Sequence, residues 1–531
     1  MFSINGSFFI IARFGLKSKP EYGIFEKSKA NMQGMNREQL EDEVGQNLTL
    51  DPQDWQQMRQ LGHQMIDDVM DYLENIGKQP VWRPIPTEVK NFLSTDIPQE
   101  PQDIDSIYQE FKQYIFPYTK GNIHPRFFAW VQGTGTPLAV LADLLAATMN
   151  PNVTIGEHAS LYVDQQVVNW CKQMLNYPAE ASGILLSGGS MANITALTVA
   201  RNHQASVRQE GLFHIGSQMT LYCSAETHSC IQKAVEILGL GAEAVRKISV
   251  NAQYEINTAE LIECIEADLA AGHRPFCVVG TAGTVNTGAI DPLEELWQIC
   301  QKYQLWFHVD GAYGALAKLD PQYAPSLAAI EKADSVAFDL HKWLYIPYEV
   351  GCTLIKNAEA HRNAFAITPN YLLQEKRGLA GGLESINNYG FELSRGFKAL
   401  KVWMSLKEHG LGKYAAMIRQ NNLQAAYLGH MVENTPELEL LAPVSLSIVC
   451  YRYVHPELNE VELNALNREI LIQLQERGIA SPSSTLLQGR YAIRVCIVNQ
   501  RTKKADLEML IQATLQIGNE QTALLLAQIA Q

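Results

Sequence analysis

The chain has no CxxC pair and no Cys/His spacing of the kind that holds a metal, although it carries nine cysteines. The number is odd, and Cys171, Cys223, Cys277, Cys300 and Cys352 lie inside or beside apolar runs, so they read as reduced core thiols of a cytosolic protein. Positive charge is also short. Against 56 Asp and Glu there are 42 Lys and Arg, a formal charge of -14, which argues against a nucleic acid or an anionic membrane as the main partner. No apolar run reaches the roughly twenty residues of a membrane span. Internal repeats and low-complexity tracts are missing too, so neither a solenoid nor a biased linker protein is expected. Small ligands and protein partners remain.

What is present is enough apolar sequence, 47% of 531 residues, to bury one large core with smaller satellites. Four regions are expected. Residues 1–47 form a flexible or mis-started extension, with Met32 and Met35 as later starts; Phe8–Ala12 is too short, and charged on the wrong side, for a signal segment. Residues 48–120 form a helical arm: after Asp51-Pro52, a cap followed by an N1 proline, Trp55, Met58, Leu61, Met65, Val69, Tyr72 and Leu73 share one face. Prolines then break the pattern, and the stripe needs cover, for which a second subunit is suited. Residues 121–410 form a large α/β domain and 411–531 a small α+β domain, with helices near Lys413–Glu433, Glu460–Arg477 and Lys504–Ala530 around strands at Leu446–Tyr453 and Tyr491–Val498.

Within the large domain, short β-type runs alternate with helical segments, the pattern of a wound, mostly parallel sheet with helices on both faces. Seven strands are expected: Gly183–Leu186, Thr220–Ser224, Val245–Val250, Phe276–Thr281, Trp306–Asp310, Ser335–Asp339 and Cys352–Ile355. Asp291-Pro292 with Glu294 and Glu295 reads as a capped helix start.

Sites in such folds gather where strands hand over to loops, and ionisable residues cluster there. His308-Val309-Asp310-Gly311-Ala312-Tyr313 ends one apolar run with a carboxylate that is costly to bury without a partner. Asp339-Leu340-His341-Lys342-Trp343 ends another with a lysine. Poor solvation there disfavours the ammonium and leaves an amine able to attack an aldehyde. An acid that holds a proton on a heteroaromatic nitrogen, beside such an amine, is what pyridoxal phosphate requires. Ser187-Gly188-Gly189-Ser190-Met191-Ala192-Asn193 opens a helix and suits a phosphate, the alternative being an ordinary glycine-rich turn; its spacing is neither GxGxxG nor GxxxxGK[ST]. His228 follows a strand as either a packed residue or one that stacks on a ring. Thr281–Asn286 is a small-residue turn of similarly open meaning.

In the order GGSxxN, AxxHS, HVDxAYG and DxHKW, these runs resemble the fold-type-I pyridoxal phosphate enzymes, and among them the group II L-amino-acid decarboxylases, most of all the aromatic ones. The resemblance extends from His124-Pro125-Arg126-Phe127-Phe128 to Arg494. It implies that Lys342 carries the cofactor, that Asp310 partners the ring nitrogen, and that Ala312 and His228 lie on opposite ring faces. Gly189, Ser190 and His341 would hold the phosphate. Asp339 stands where animal aromatic decarboxylases have asparagine, and an anion beside phosphate must point away or pair with a cation. Val285 stands where that branch has threonine, so a hydroxyl must come from Thr284 or elsewhere.

The same resemblance makes Tyr371 the donor of a proton to the α-carbon, in a segment whose Gly-rich continuation, Arg377–Gly382, has lid composition. Aldehyde synthases related to the family replace that tyrosine by phenylalanine. For substrate, His124, Phe127, Phe128 and Trp130 suit an aromatic side chain, with a packed strand as the alternative. Ser394 hints at tyrosine or dihydroxyphenylalanine over indolic substrates. Pro151–Ala159 matches the aromatic branch less well and leaves glutamate or 2,4-diaminobutyrate open. The expected activity is decarboxylation to a primary amine, in a cytoplasmic homodimer with its site at the subunit interface and no metal. Behind it stand an aminotransferase or carbon–sulfur lyase, an aldehyde synthase, and an idle homologue.

Overall fold

A computed structural model of the chain describes residues 36–45, 49–367 and 375–529. The chain divides into two units, Met1–Ile66 and Asp67–Gln531. In the first, helix Arg37–Gly45 precedes the start of helix Trp55–Asn75, where the expected apolar stripe begins. Asp54 caps that helix, its Oδ1 accepting from the amides of Gln56 at 2.8 Å and Gln57 at 3.1 Å. The expected cap, Asp51, lies too far upstream, because a cap must directly precede the first helical residue. Residues 1–35 and 46–47 of the expected extension lie outside the described residues.

The second unit contains two sheets. After β1 (Phe127–Phe128) come β2 (Ser182–Leu186), β3 (Met219–Ser224), β4 (Val245–Ile248) and β5 (Arg274–Thr281). They are followed by β6 (Trp306–Asp310), β7 (Ser335–Asp339) and β8 (Gly351–Ile355). Strands β2 to β8 form a seven-stranded sheet in the order β2-β8-β7-β6-β5-β3-β4, and each coincides with an expected run to within about two residues, the ordinary uncertainty of strand ends. Neighbours from β7 to β4 are parallel, while β8 runs antiparallel to both β7 and β2. The sheet is covered on both faces: along β6, Phe307 and Val309 enter one apolar layer and Trp306 the other. Near-continuous apolar strands are what two-sided burial demands, each such side chain contributing roughly 1.5–3 kcal/mol.

The second sheet adds β9 (Leu438–Leu440), β10 (Ile448–Tyr453), β11 (Ser481–Leu487) and β12 (Arg490–Cys496), in the order β1-β11-β12-β10-β9. Helices Glu460–Glu476 and Lys504–Ile529 pack against it, the first opened by a capping box between Asn459 and Glu462. Strand β1 runs parallel to β11, so Phe127 and Phe128 belong to this sheet. The helix expected near Lys413 begins earlier, at Ala399, and continues to Glu433 across a kink at Gly410, whose φ of 69° is left-handed. Helix Leu293–Tyr303 has the expected acids in its first turn, but Asp291 does not cap it. Its carboxylate accepts instead from the amides of Ile256 at 2.9 Å and Thr281 at 2.7 Å, anchoring the end of β5.

Candidate active site

Register assembles the site. Thr281 at the end of β5 lies opposite Asp310, and Asp310 at the end of β6 lies opposite Ala337. Strand β7 therefore runs two residues further, to Asp339, which faces Gly351 at the start of β8. A cavity of about 450 Å³ opens here. Its floor is made by the Ser187–Ser190 turn, His228, Asp310, Ala312, His341 and Lys342. Trp130, Val131, Val285, Tyr348 and Glu349 also line it.

Lys342 Nζ lies 2.9 Å from Asp339 Oδ2. This reverses the expected ionisation. Burial does oppose the ammonium, but the charge and hydrogen bond of Asp339, with Asp310 adding to them, outweigh it and hold the lysine above its ordinary range. The cofactor-free amine is thus a cation. The same contact answers the question of Asp339, which is buried and pairs with a cation as an anion there must.

Asp310 is buried, which pushes its carboxyl up, while the amide of Ala312, donating to Oδ1 at 3.1 Å, works the other way. A cationic ring nitrogen against this carboxylate would offset the cost of its burial. His228 accepts the Cys230 amide at Nδ1, 3.2 Å away, leaving Nε2 to carry the ring proton. Burial pushes its pKa down and Asp310 opposes this, so the imidazole is neutral near pH 7. His341 Nδ1 lies 3.0 Å from the Val350 carbonyl, and its ring sits 4.4 Å from that of Tyr348.

The residues fit pyridoxal phosphate. A Cβ on Gly189 would lie 3.0 Å from both Ala312 Cβ and Asp339 Oδ2, and one on Gly188 would lie 3.2 Å from His341 Cε1. Only hydrogen at these positions keeps the backbone open to an anion at the start of the 16-residue helix Gly189–Gln204. An amine for an aldehyde, a buried acid for a ring nitrogen and a glycine cradle for a phosphate converge on one cavity.

Not every expected residue is there. Thr284 is buried in its own turn, its hydroxyl 3.0 Å from that of Thr287, and of the two threonines Thr281 and Thr284 it is Thr281 that lines the cavity. His124 is also outside the lining: its Nε2 meets the Gln79 carbonyl at 3.0 Å and its Nδ1 accepts the Arg126 amide. Phe127 packs with Val81 and Ala129, and Phe128 in the core of the second sheet. Ser394 is exposed away from the lining, beside the buried Arg395. Of the expected aromatic segment only Trp130 reaches the cavity. Tyr371 lies outside the described residues. Tyr348 and Glu349 were not foreseen, because they lie in a loop with no periodic signal.

An α/β sheet with a lysine, two carboxylates and a glycine cradle at its C-terminal edge defines a pyridoxal phosphate enzyme of fold type I. The chain belongs to the pyridoxal-dependent decarboxylase family, whose conserved domain matches residues 86–454. It is similar to an aromatic-L-amino-acid decarboxylase of Bacillus atrophaeus, 33% identical over 468 residues that make up 87% of this chain and 95% of the relative. Tryptophan decarboxylase 2 of Oryza sativa subsp. japonica is 29% identical, over 84% of this chain and 92% of its own. In fold, the chain matches the crystal structure of Oryza sativa TDC with PLP and tryptamine at a TM-score of 0.82, with 24% identity, 89% of this chain and all of that one being covered. The chain is therefore a carboxy-lyase that uses pyridoxal phosphate to decarboxylate an amino acid. Among the described residues no helix is long and apolar enough to cross a membrane.

Proposed function

We propose that the substrate is an aromatic L-amino acid and that the products are carbon dioxide and the corresponding primary amine. The observation that carries this reading is the cavity wall: Trp130, Val131, Val285 and Tyr348 offer apolar and aromatic surface, and the described lining contains no guanidinium for an acidic side chain. The curated relatives named above act on aromatic amino acids. One observation favours a second reading, since the Glu349 carboxylate in the lining suits an ammonium-bearing side chain such as that of 2,4-diaminobutyrate.

Pyridoxal phosphate, when bound, supplies a sink for the electrons released as the α-carboxylate departs. Lys342 would hold the cofactor through its amine. Asp310 would keep a proton on the ring nitrogen, Ala312 and His228 would pack against the ring, and Gly189, Ser190 and His341 would hold the phosphate. Thr281 supplies the hydroxyl that Val285 lacks. Tyr371 gives a proton to the substrate α-carbon, which directs the outcome to amine and away from aldehyde. The enzyme works as a cytoplasmic homodimer with its site at the subunit interface.

A screen of the common amino acids and 2,4-diaminobutyrate for amine product, with pyridoxal phosphate added, tests this. Tyramine, dopamine or tryptamine as the fastest product is expected. A diamine as the fastest product establishes the second reading, and a keto acid or aldehyde as the main product contradicts both.

A further inference from the structure

The ion pair at the centre of the cavity has a consequence for how the enzyme is loaded. An amine attacks an aldehyde only as the free base. Yet Lys342 Nζ is held 2.9 Å from Asp339 Oδ2, and that carboxylate is buried. Its second oxygen, Oδ1, has no described partner. Oδ2 also stands against the glycine cradle, 3.0 Å from where a Cβ on Gly189 would lie. One carboxylate thus faces both the amine that must lose a proton and the turn that receives a phosphate.

We propose that Asp339 is a positioning residue that gates cofactor capture, holding Lys342 as an ammonium until the cofactor arrives and repelling the phosphate as it enters. This rests on the reading of Lys342 as the cofactor lysine. In the capture step Lys342 sheds one proton to solvent and its nitrogen lone pair bonds the aldehyde carbon. The aldehyde oxygen then leaves as water with the two protons remaining on nitrogen. No redox partner is needed.

The other ionisable groups around Lys342 do not substitute for Asp339. Asp310, at the end of β6, adds negative charge from across the cavity, and Tyr348, in the loop before β8, is a phenol that burial pushes up to about 12. His341 and His228 are pushed down by burial and are neutral near pH 7. Cys230 is likewise pushed up to about 12 and stays a thiol. Glu349 is exposed and lies 3.4 Å from Lys398 Nζ. Among the described residues, Asp339 is the charged group in contact with the ammonium.

The experiment follows the absorbance change on C=N formation when the full chain, stripped of cofactor, is mixed with pyridoxal phosphate or with pyridoxal, which lacks the phosphate. In the unaltered chain, capture of pyridoxal should rise about tenfold per pH unit up to a break above the ordinary lysine value. In Asp339→Asn the break should move down by one to three pH units, and capture near pH 7.5 should quicken by roughly ten- to a thousandfold, the effect of removing an opposite charge at contact distance. The gain should be larger for pyridoxal phosphate than for pyridoxal. A break below the ordinary lysine value in the unaltered chain overturns the proposal even if the variant does not fold. An Asp339→Asn rate and pH profile equal to the parent's overturns it as well. The same signal from Lys342→Ala would instead show that the assignment of the lysine is wrong.

Discussion

Tyr313 stacks on Trp343, their ring centroids 4.9 Å apart and their planes within 18°. Through this contact the loop after Asp310 is fixed to the turn that carries Lys342. Each ring is tied onward, the Tyr313 hydroxyl to Ser447 at 2.6 Å and the Trp343 indole to Asn421 at 3.1 Å. Trp343 is fully buried, so Trp343→Ala should lose roughly 3–5 kcal/mol of stability, the usual range for emptying such a site. Urea unfolding monitored by circular dichroism measures this; a loss below about 1 kcal/mol would show that the neighbours collapse into the space.

Gly189→Ala places a methyl group 3.0 Å from Asp339 Oδ2 and Ala312 Cβ. The expected result is a cofactor Kd raised tenfold or more, about 1.4 kcal/mol, with the unfolding midpoint little changed. Titration of the stripped chain with pyridoxal phosphate decides it, and an unchanged Kd would remove the turn from the cofactor site.

His228 is pushed below the ordinary histidine value by burial, with Asp310 opposing, so it is neutral at pH 7 and gains a proton only on the acid side of 6.5. Activity should therefore fall below pH 6.5 with a limb that His228→Gln abolishes, while kcat drops roughly a hundredfold as the ring loses its flanking group. A variant with the parent's kcat and acid limb would place His228 outside the reaction.

Three buried histidines weaken the fold in acid, while the buried carboxyls of Asp291 and Asp164, pushed up by burial to about 7 and about 6, work the other way. Burial lowers His124 and His361 to about 4 and His308 to about 3, from an ordinary 6.5. Between those values the unfolded chain binds a proton that the folded chain does not. The contribution of the histidines is therefore full above pH 6.5 and falls as the pH drops, by roughly 1.4 kcal/mol per pH unit for each histidine. Urea unfolding free energies from pH 7 to pH 4.5 should favour His361→Gln over the parent increasingly as the pH drops, by one histidine's share; a difference that does not change with pH would contradict the assignment.

The large sheet is legible because burial on both faces leaves strands such as Trp306–Asp310 and Ser335–Asp339 as near-continuous apolar runs, and both have their expected ends. The second sheet was only half legible. Strand β11 is Ser481–Leu487, whose serines, proline and threonine carry no alternation, and β1 is two residues that pair with a strand more than three hundred positions away. That long-range pairing is why Phe127 and Phe128 sit on the second sheet, Phe128 in its core and Phe127 against Val81 and Ala129, instead of lining the cavity. The ionic state of Lys342 was misread for a related reason. Burial could be inferred from its own segment, but the sign of the net effect depends on Asp339 lying one helical turn back and on Asp310 lying across the cavity. Thr284 shows the finer limit, since neighbouring residues of one turn face opposite ways and, of the pair Thr284 and Val285, the second reaches the cavity.

Lys342 as the residue that carries the cofactor is the central claim. Borohydride reduction of the enzyme as isolated, proteolysis and mass mapping of the pyridoxyl group test it directly. The label is expected on the peptide containing His341-Lys342-Trp343. A label on any other lysine, or full decarboxylase activity in Lys342→Ala, would contradict the account.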